Sequence, residues 1–274
     1  MQGPFMNRQT FGQRVKQLLA PVLAALATAG KWFPVLLKFG LPMLKMSAGL
    51  LISLWFYARF FGWQFAVGFL LLLFIHEMGH LIAARMVGLK VSLPVFIPFM
   101  GAVILLKDMP PNAWIESIVG IGGPLLGSAG ALAVTACYYF TGNDLFLALG
   151  YTGFFLNLFN LVPIIPLDGG RIVSAISPWL WVVGLVIIVP YLILRSSVGG
   201  FINSGISFVI LLIVLSSFRR VLAVFRNRRS PGMMRYYECT PAQRWTMAVL
   251  YFALLGSLYV GMEYIKTIMP RGAL

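Results

Sequence analysis

The sequence is too apolar and too sparsely charged for a soluble globular domain. Of its 274 residues, 60% are hydrophobic and only 10% are charged, against roughly 45–50% and 25% in soluble domains. The composition also excludes an intrinsically disordered chain, a collagen-like chain and a disulfide-bonded secreted scaffold. It predicts a membrane protein.

The net charge of +14 arises from 21 Lys and Arg residues against 7 Asp and Glu residues. On a soluble protein this excess would indicate nucleic acid, but here the basic residues lie between apolar runs, as topology signals do. We therefore expect a lipid bilayer and no nucleic acid around the chain. A cytoplasmic N-terminus leaves only Arg59, Arg195, Lys266 and Arg271 on the far side, which agrees with the positive-inside tendency.

Seven apolar runs predict an all-α polytopic membrane protein with six or seven transmembrane helices. We expect an N-terminal cytoplasmic or surface segment (1–45), a core (46–171), and additional transmembrane helices (172–274) that carry a basic cytoplasmic loop (219–244). The predicted location is a bacterial inner membrane. The runs are 46–58, 62–84, 113–140, 145–165, 172–194, 200–218 and 245–265.

The run 62–84 contains the sequence His76-Glu77-Met78-Gly79-His80. Residues four apart lie about 400° around a helix, so both imidazoles project from one face and can hold one metal ion. Neutral imidazoles suit zinc, and the adjacent Glu77 can take a proton from water activated by the metal. The pattern H-E-x-x-H is typical of metalloproteases. A carboxylate at bilayer depth costs about 2.5–3.5 kcal/mol on insertion scales. This cost also favours a functional role for Glu77 over a purely structural one.

The segment 91–106 is apolar but too short to span a bilayer, and it contains Pro94, Pro98 and Gly101. These residues predict a turn between two extended arms. We therefore expect a re-entrant β-hairpin after the H-E-x-x-H helix. A loop lying on the membrane surface is the alternative.

A catalytic zinc ion usually has three protein ligands, so a third ligand is needed beside His76 and His80. Asp168 is the favoured candidate, because it lies at the cytoplasmic end of its run and so at the same depth as the histidines. Glu116, at the start of its span near the same surface, is the second choice.

Asp168 lies near the end of the segment from Asn160 to Arg171, NLVPIIPLDGGR. Pro163 and Pro166 predict a break in the helix, and the glycines after Asp168 allow another element to approach closely. The side-chain amide of Asn160 can donate to a substrate carbonyl. A helix end with a solvated Asp168 is the alternative.

At these two motifs the chain closely resembles the site-two protease family of intramembrane zinc metalloproteases. That family has H-E-x-x-H on one transmembrane helix and Asn-x-x-Pro-x-x-Pro-x-Asp-Gly on a later one. The resemblance implies His76, His80 and Asp168 as zinc ligands, Glu77 as general base and Asn160 near the substrate carbonyl. It also implies a site on the cytoplasmic side of the membrane interior, and a membrane-embedded sheet that corresponds to 91–106.

The chain differs from the family pattern in two respects. Gly122-Gly123-Pro124 resembles the family's Gly-Pro element and is expected to form a turn, but Gly127 stands where many members have Asn. We also expect a minimal member, without the PDZ or CBS domains of some relatives.

The resemblance implies a hydrolase that cleaves transmembrane segments of single-pass membrane proteins, in regulated intramembrane proteolysis. Three other functions stay open: an inactive scaffold of the same fold, a metal transporter, and a different metalloprotease class. The last would use Glu116, Glu238 or Glu263 instead of Asp168.

Overall fold

A computed structural model describes residues 41–92, 94–97, 101–104, 106, 108–199 and 205–269. By its internal contacts the chain divides into two units, Met1–Gly49 and Leu50–Leu274. The second unit contains the H-E-x-x-H motif and all residues that follow it. Most of the predicted N-terminal segment, up to residue 40, lies outside the described residues.

The described residues form helices and one pair of short strands. In chain order the elements are α1 (Leu41–Phe61), α2 (Trp63–Met86), β1 (Val95–Ile97), β2 (Gly101–Val103), α3 (Ala113–Thr141), α4 (Asp144–Asn160), α5 (Asp168–Ile176), α6 (Leu180–Gly199), α7 (Gly205–Asn227), α8 (Pro231–Tyr236) and α9 (Pro241–Ile268).

Within these described residues, α2, α3 and α9 are long and apolar enough to cross a membrane. A span needs about 20 mostly apolar residues, and these helices have 24, 29 and 28 residues. The total of six or seven spans stays a prediction.

Helix α2 ends in a glycine C-cap. Gly88 adopts a left-handed φ of 79°, and its N–H donates to the Arg85 carbonyl while the Leu89 N–H donates to the Ala84 carbonyl. This Schellman arrangement satisfies carbonyls that the helix end leaves free. It fixes the end of α2 about two turns beyond His80.

Helix α3 packs against α2 and continues through Pro124. The turn expected at Gly122-Gly123-Pro124 is therefore wrong. A transmembrane helix tolerates proline where neighbouring groups satisfy the freed backbone. The glycines serve packing instead, because a β-carbon at Gly79 or at Gly122 would collide with the backbone of the other.

The segment after α2 forms an antiparallel hairpin. Val95 pairs with Val103 and Ile97 pairs with Gly101, and an isolated bridge joins Val91 to Leu106. The strands lie where extended arms were expected. Their insertion into a membrane stays a prediction.

The chain leaves helical conformation between Asn160 and Asp168. Pro163 and Pro166 cannot donate in a helix ladder, so the predicted run 145–165 ends early, at Asn160. The run 172–194 is also divided, because α5 ends at Ile176 just before Pro178. The domain boundary predicted after Arg171 falls inside α5.

The segment 219–244, expected as a loop, is largely helical. Helix α7 continues to Asn227, and α8 follows at Pro231–Tyr236. Val221 and Val224 are buried one turn apart, so an apolar stripe continues beyond the uniformly apolar run and keeps the helix packed.

Helix α9 packs against α4 and α5. Its capping box at Thr240 and Gln243, with Pro241 at the first turn, fixes where the helix begins. Thus the helices beyond residue 171 contribute directly to the core around the candidate site. Large side chains of this core that are almost fully buried are Leu147, Leu161, Ile172, Trp181, Met247 and Leu258.

Candidate metal centre

Two imidazoles and one carboxylate meet inside the helix bundle. Helix α2 places His76 and His80 on one face, and their Nε2 atoms lie 3.1 Å apart. Oδ2 of Asp168, the first residue of α5, lies 3.1 Å from each of these nitrogens. The three residues are 3%, 4% and 8% exposed, so bulk water does not screen the contact.

The outer nitrogens of both rings have acceptor partners. His76 Nδ1 donates to Asn157 Oδ1 over 2.8 Å, and His80 Nδ1 donates to the Val119 carbonyl over 2.7 Å. Because each partner atom is an oxygen that can only accept, the proton of each neutral ring lies on Nδ1. Both Nε2 atoms then carry lone pairs.

Three acceptor atoms, two Nε2 and one carboxylate oxygen, therefore face one another. They repel unless a cation or an extra proton lies among them. Two imidazole nitrogens and one carboxylate oxygen are a donor set that zinc takes in catalytic sites. Among the described residues, His76, His80 and Asp168 form the cluster with metal-ligand geometry.

Glu77 lies beside this cluster and contacts the hairpin. Its side chain is half-buried, and Oε2 accepts a hydrogen bond of 3.2 Å from the Ile104 N–H, directly after β2. The carboxylate is thus held by backbone rather than by a cationic side chain. It keeps a second oxygen with lone pairs for a proton.

Asn160, the last residue of α4, reaches the same place. Its Nδ2 lies 3.5 Å from His76 Nε2, at the limit of a hydrogen bond. The amide therefore stands at the edge of the cluster and can turn toward another acceptor.

The start of α5 holds Asp168 through tight backbone packing. A β-carbon at Gly169 would collide with the Leu161 carbonyl, and the indole Nε1 of Trp181 donates to the Gly170 carbonyl over 2.7 Å. These contacts fix the backbone that carries the carboxylate.

Comparison with known proteins matches this region to one family. The sequence model of peptidase family M50 matches residues 64–145 and 141–182, which include His76, Glu77, His80, Asn160 and Asp168. Residues 64–182 are therefore similar to peptidase family M50. The resemblance to site-two proteases is thereby confirmed. Together with the three apolar helices, this match indicates an integral membrane protein.

Two similar proteins are named as zinc metalloproteases. The chain is 36% identical over 107 residues to zinc metalloprotease MJ0392 of Methanocaldococcus jannaschii, covering 37% of this chain and 31% of the relative. It is 31% identical over 107 residues to the Synechocystis protein sll0528, provisionally named a zinc metalloprotease, covering 37% and 28%. The matched stretch thus spans under a third of either relative.

The glutamates considered as other ligands lie away from the cluster. Glu116 accepts a hydrogen bond of 2.7 Å from the Tyr236 hydroxyl, Glu263 pairs with Lys266, and Glu238 is exposed. Burial raises the pKa of Tyr236, and the Glu116 carboxylate raises it further. The structure brings Asp168, and none of these glutamates, to the histidines.

Sequence reasoning missed Asn157. This residue is 1% exposed, and its Nδ2 donates to the Gly153 carbonyl over 2.7 Å, which turns Oδ1 toward His76. A lone amide inside the apolar stretch FFLNLF was the available signal. Gly127, noted as a departure from the family pattern, lies against this amide, since a β-carbon there would collide with Asn157 Oδ1.

Proposed function

We propose that this chain is a zinc-dependent intramembrane endopeptidase that cleaves transmembrane segments of single-pass membrane proteins. The observation that carries the proposal is the meeting of His76 Nε2, His80 Nε2 and Asp168 Oδ2 within 3.1 Å, with both outer ring nitrogens already used as donors. Three acceptor atoms at these distances are stabilised by a cation bound among them. Zinc is the choice because both relatives are named for it.

In this proposal His76, His80 and Asp168 hold the zinc ion. When bound, zinc polarises the scissile carbonyl and makes water acidic near neutral pH. The ring orientations are already set, because His76 and His80 are held through their Nδ1 atoms. Little reorganisation is then needed when the metal enters.

Glu77 acts as general base and then as general acid. It takes a proton from the attacking water and delivers it to the leaving amine, so that one water is consumed for each peptide bond broken. The bond from Ile104 N–H to Oε2 fixes one carboxylate oxygen and leaves the other for the proton. The Asn160 amide donates to the substrate carbonyl as negative charge develops on its oxygen.

The hairpin takes the substrate in this proposal. A transmembrane helix hides its carbonyls in internal hydrogen bonds, so the segment must unwind before cleavage. An extended segment can add as a strand to the pair Val95–Ile97 and Gly101–Val103. The contact between Ile104 and Glu77 then links the strand that receives the substrate to the base that acts on it.

We further propose a multi-pass protein of a bacterial inner membrane with its N-terminus in the cytoplasm. The distribution of basic residues supports this orientation. It places the histidines, about two turns from the Arg85 end of α2, on the cytoplasmic side of the membrane interior.

The test uses cleavage products in membranes. Parent and Glu77→Gln chains are expressed at equal levels in one bacterial host, and new N-termini inside apolar segments are mapped by mass spectrometry. We expect termini within single-pass segments that depend on Glu77. Identical termini in both samples, from chains that both bind zinc, would contradict peptidase activity.

The other functions predict different results for the same variant. A metal transporter has no need of Glu77 next to the first histidine, so Glu77→Gln would leave metal uptake intact. A scaffold would give the same cellular phenotype with either chain, at full metal occupancy.

A further inference from the structure

Asn157 contacts a metal-ligand candidate from outside the cluster. Its Oδ1 accepts from His76 Nδ1 over 2.8 Å, and its own Nδ2 donates to the Gly153 carbonyl over 2.7 Å. Both polar ends of the amide are therefore satisfied. The second bond also fixes which end faces the ring, because only Nδ2 can donate to a carbonyl.

The space for this amide is provided by α3. At Gly127 any β-carbon would collide with Asn157 Oδ1, so α3 can approach only because this residue has no side chain. The amide is 1% exposed, and bulk water cannot replace it as the partner of Nδ1. Two helices thus define one acceptor position.

The two histidines are held in different ways. His80 Nδ1 donates to a main-chain carbonyl, that of Val119, which no substitution at that position removes. His76 Nδ1 depends on a side chain that can be changed. The acceptor of His76 Nδ1 can therefore be removed by substitution, whereas that of His80 Nδ1 cannot.

We propose that Asn157, with Gly127 as the space that admits it, is a positioning residue for His76. It holds the proton of the ring on Nδ1 and so keeps the Nε2 lone pair directed at Asp168 and His80. The inference rests on the proposed function, in which His76 binds zinc. Groups that orient a metal-binding histidine typically change metal affinity by about 10–100-fold when removed.

The experiment measures zinc affinity of the detergent-purified full chain by competition with a chromophoric chelator. Asn157→Leu removes the acceptor at similar volume, whereas Asn157→Asp keeps an oxygen that can accept from Nδ1. Gly127→Ala perturbs the same contact from α3 without changing Asn157. Leu147→Ala, at a fully buried apolar position of α4, is the control for lost packing.

We expect zinc binding about 10–100-fold weaker in Asn157→Leu and in Gly127→Ala. Asn157→Asp should recover most of the affinity, and Leu147→Ala should keep it despite a lower unfolding temperature. The visible spectrum of bound Co²⁺ should change in Asn157→Leu and not in Leu147→Ala. If Asn157→Leu fails to fold, the zinc affinities of Gly127→Ala and Asn157→Asp still test the positioning role.

Parental affinity in Asn157→Leu or in Gly127→Ala would overturn the positioning role and leave the proposed function standing. Equal losses in Asn157→Asp and Leu147→Ala would also overturn it, because they would show a packing effect alone. A parent chain that binds no zinc would overturn the proposed function as well.

Discussion

The hydroxyl group of Tyr251 donates a hydrogen bond of 2.6 Å to the carbonyl oxygen of Leu161. Tyr251 lies on α9, outside the M50 match, and Leu161 directly follows Asn160. This carbonyl is among those that the end of α4 leaves without a helical partner. The C-terminal helix therefore helps to hold the segment that carries Asn160 and Asp168.

Tyr251→Phe removes this bond and leaves a buried carbonyl without its partner, at a cost of about 1–3 kcal/mol. We expect a lower unfolding temperature in detergent and weaker zinc binding, measured by chelator competition. Tyr259→Phe, at an exposed position of the same helix, is the matched control. An unfolding temperature equal to the parent's in Tyr251→Phe would show that the bond contributes nothing to stability.

Glu77→Gln should abolish cleavage and keep the metal. The glutamine oxygen can still accept from the Ile104 N–H, so the hairpin contact survives, but no carboxylate takes the proton. General-base groups contribute about 10²–10⁴-fold, and the turnover of a mapped substrate should fall by that factor. Loss of zinc in this variant would mean that Glu77 is a ligand instead.

Gly123→Ala should weaken zinc binding from the α3 side. A β-carbon at Gly123 would collide with the His80 ring at Nε2, so the imidazole must leave the position in which Nε2 lies 3.1 Å from Asp168 Oδ2. We expect at least about tenfold weaker binding, as for other disturbed ligand orientations. Gly256→Ala, where a β-carbon has open space, should behave like the parent, and similar affinities in both variants would refute the prediction.

Gly101→Pro tests the hairpin. Gly101 pairs with Ile97, and proline there fixes φ and removes an N–H from the strand. Cleavage of a mapped substrate should fall while the zinc content per chain is unchanged. Normal turnover in this variant would rule out substrate binding by strand addition.

Local spacing was enough to predict part of the site. The spacing of four between His76 and His80 directs both rings to one side of any helix, and Pro163 and Pro166 interrupt the helix before Asp168. These features depend on helix geometry alone. Asp168 and Glu116 both lie near the same surface in the predicted spans, and the resemblance to the family's second motif favoured Asp168.

The other features of the site and the fold depend on packing between helices, which the spacing of residues along the chain does not predict. Asn157 meets His76 only because α4 lies beside α2, and Pro124 stays helical because the neighbouring helices surround it. The basic stretch after residue 219 reads as a polar loop, yet Val221 and Val224 keep it helical by packing. The contribution of α9 through Tyr251 had no local signal at all.

The most direct test of the central claim is the zinc content of the detergent-purified chain. The parent should contain about one zinc per chain, as a site of three protein ligands implies, and His76→Ala and Asp168→Ala should lose it. Glu116→Gln, which changes the second candidate for the third ligand, should retain the zinc. Zinc kept in Asp168→Ala, or a parent chain without metal, would contradict the proposed centre.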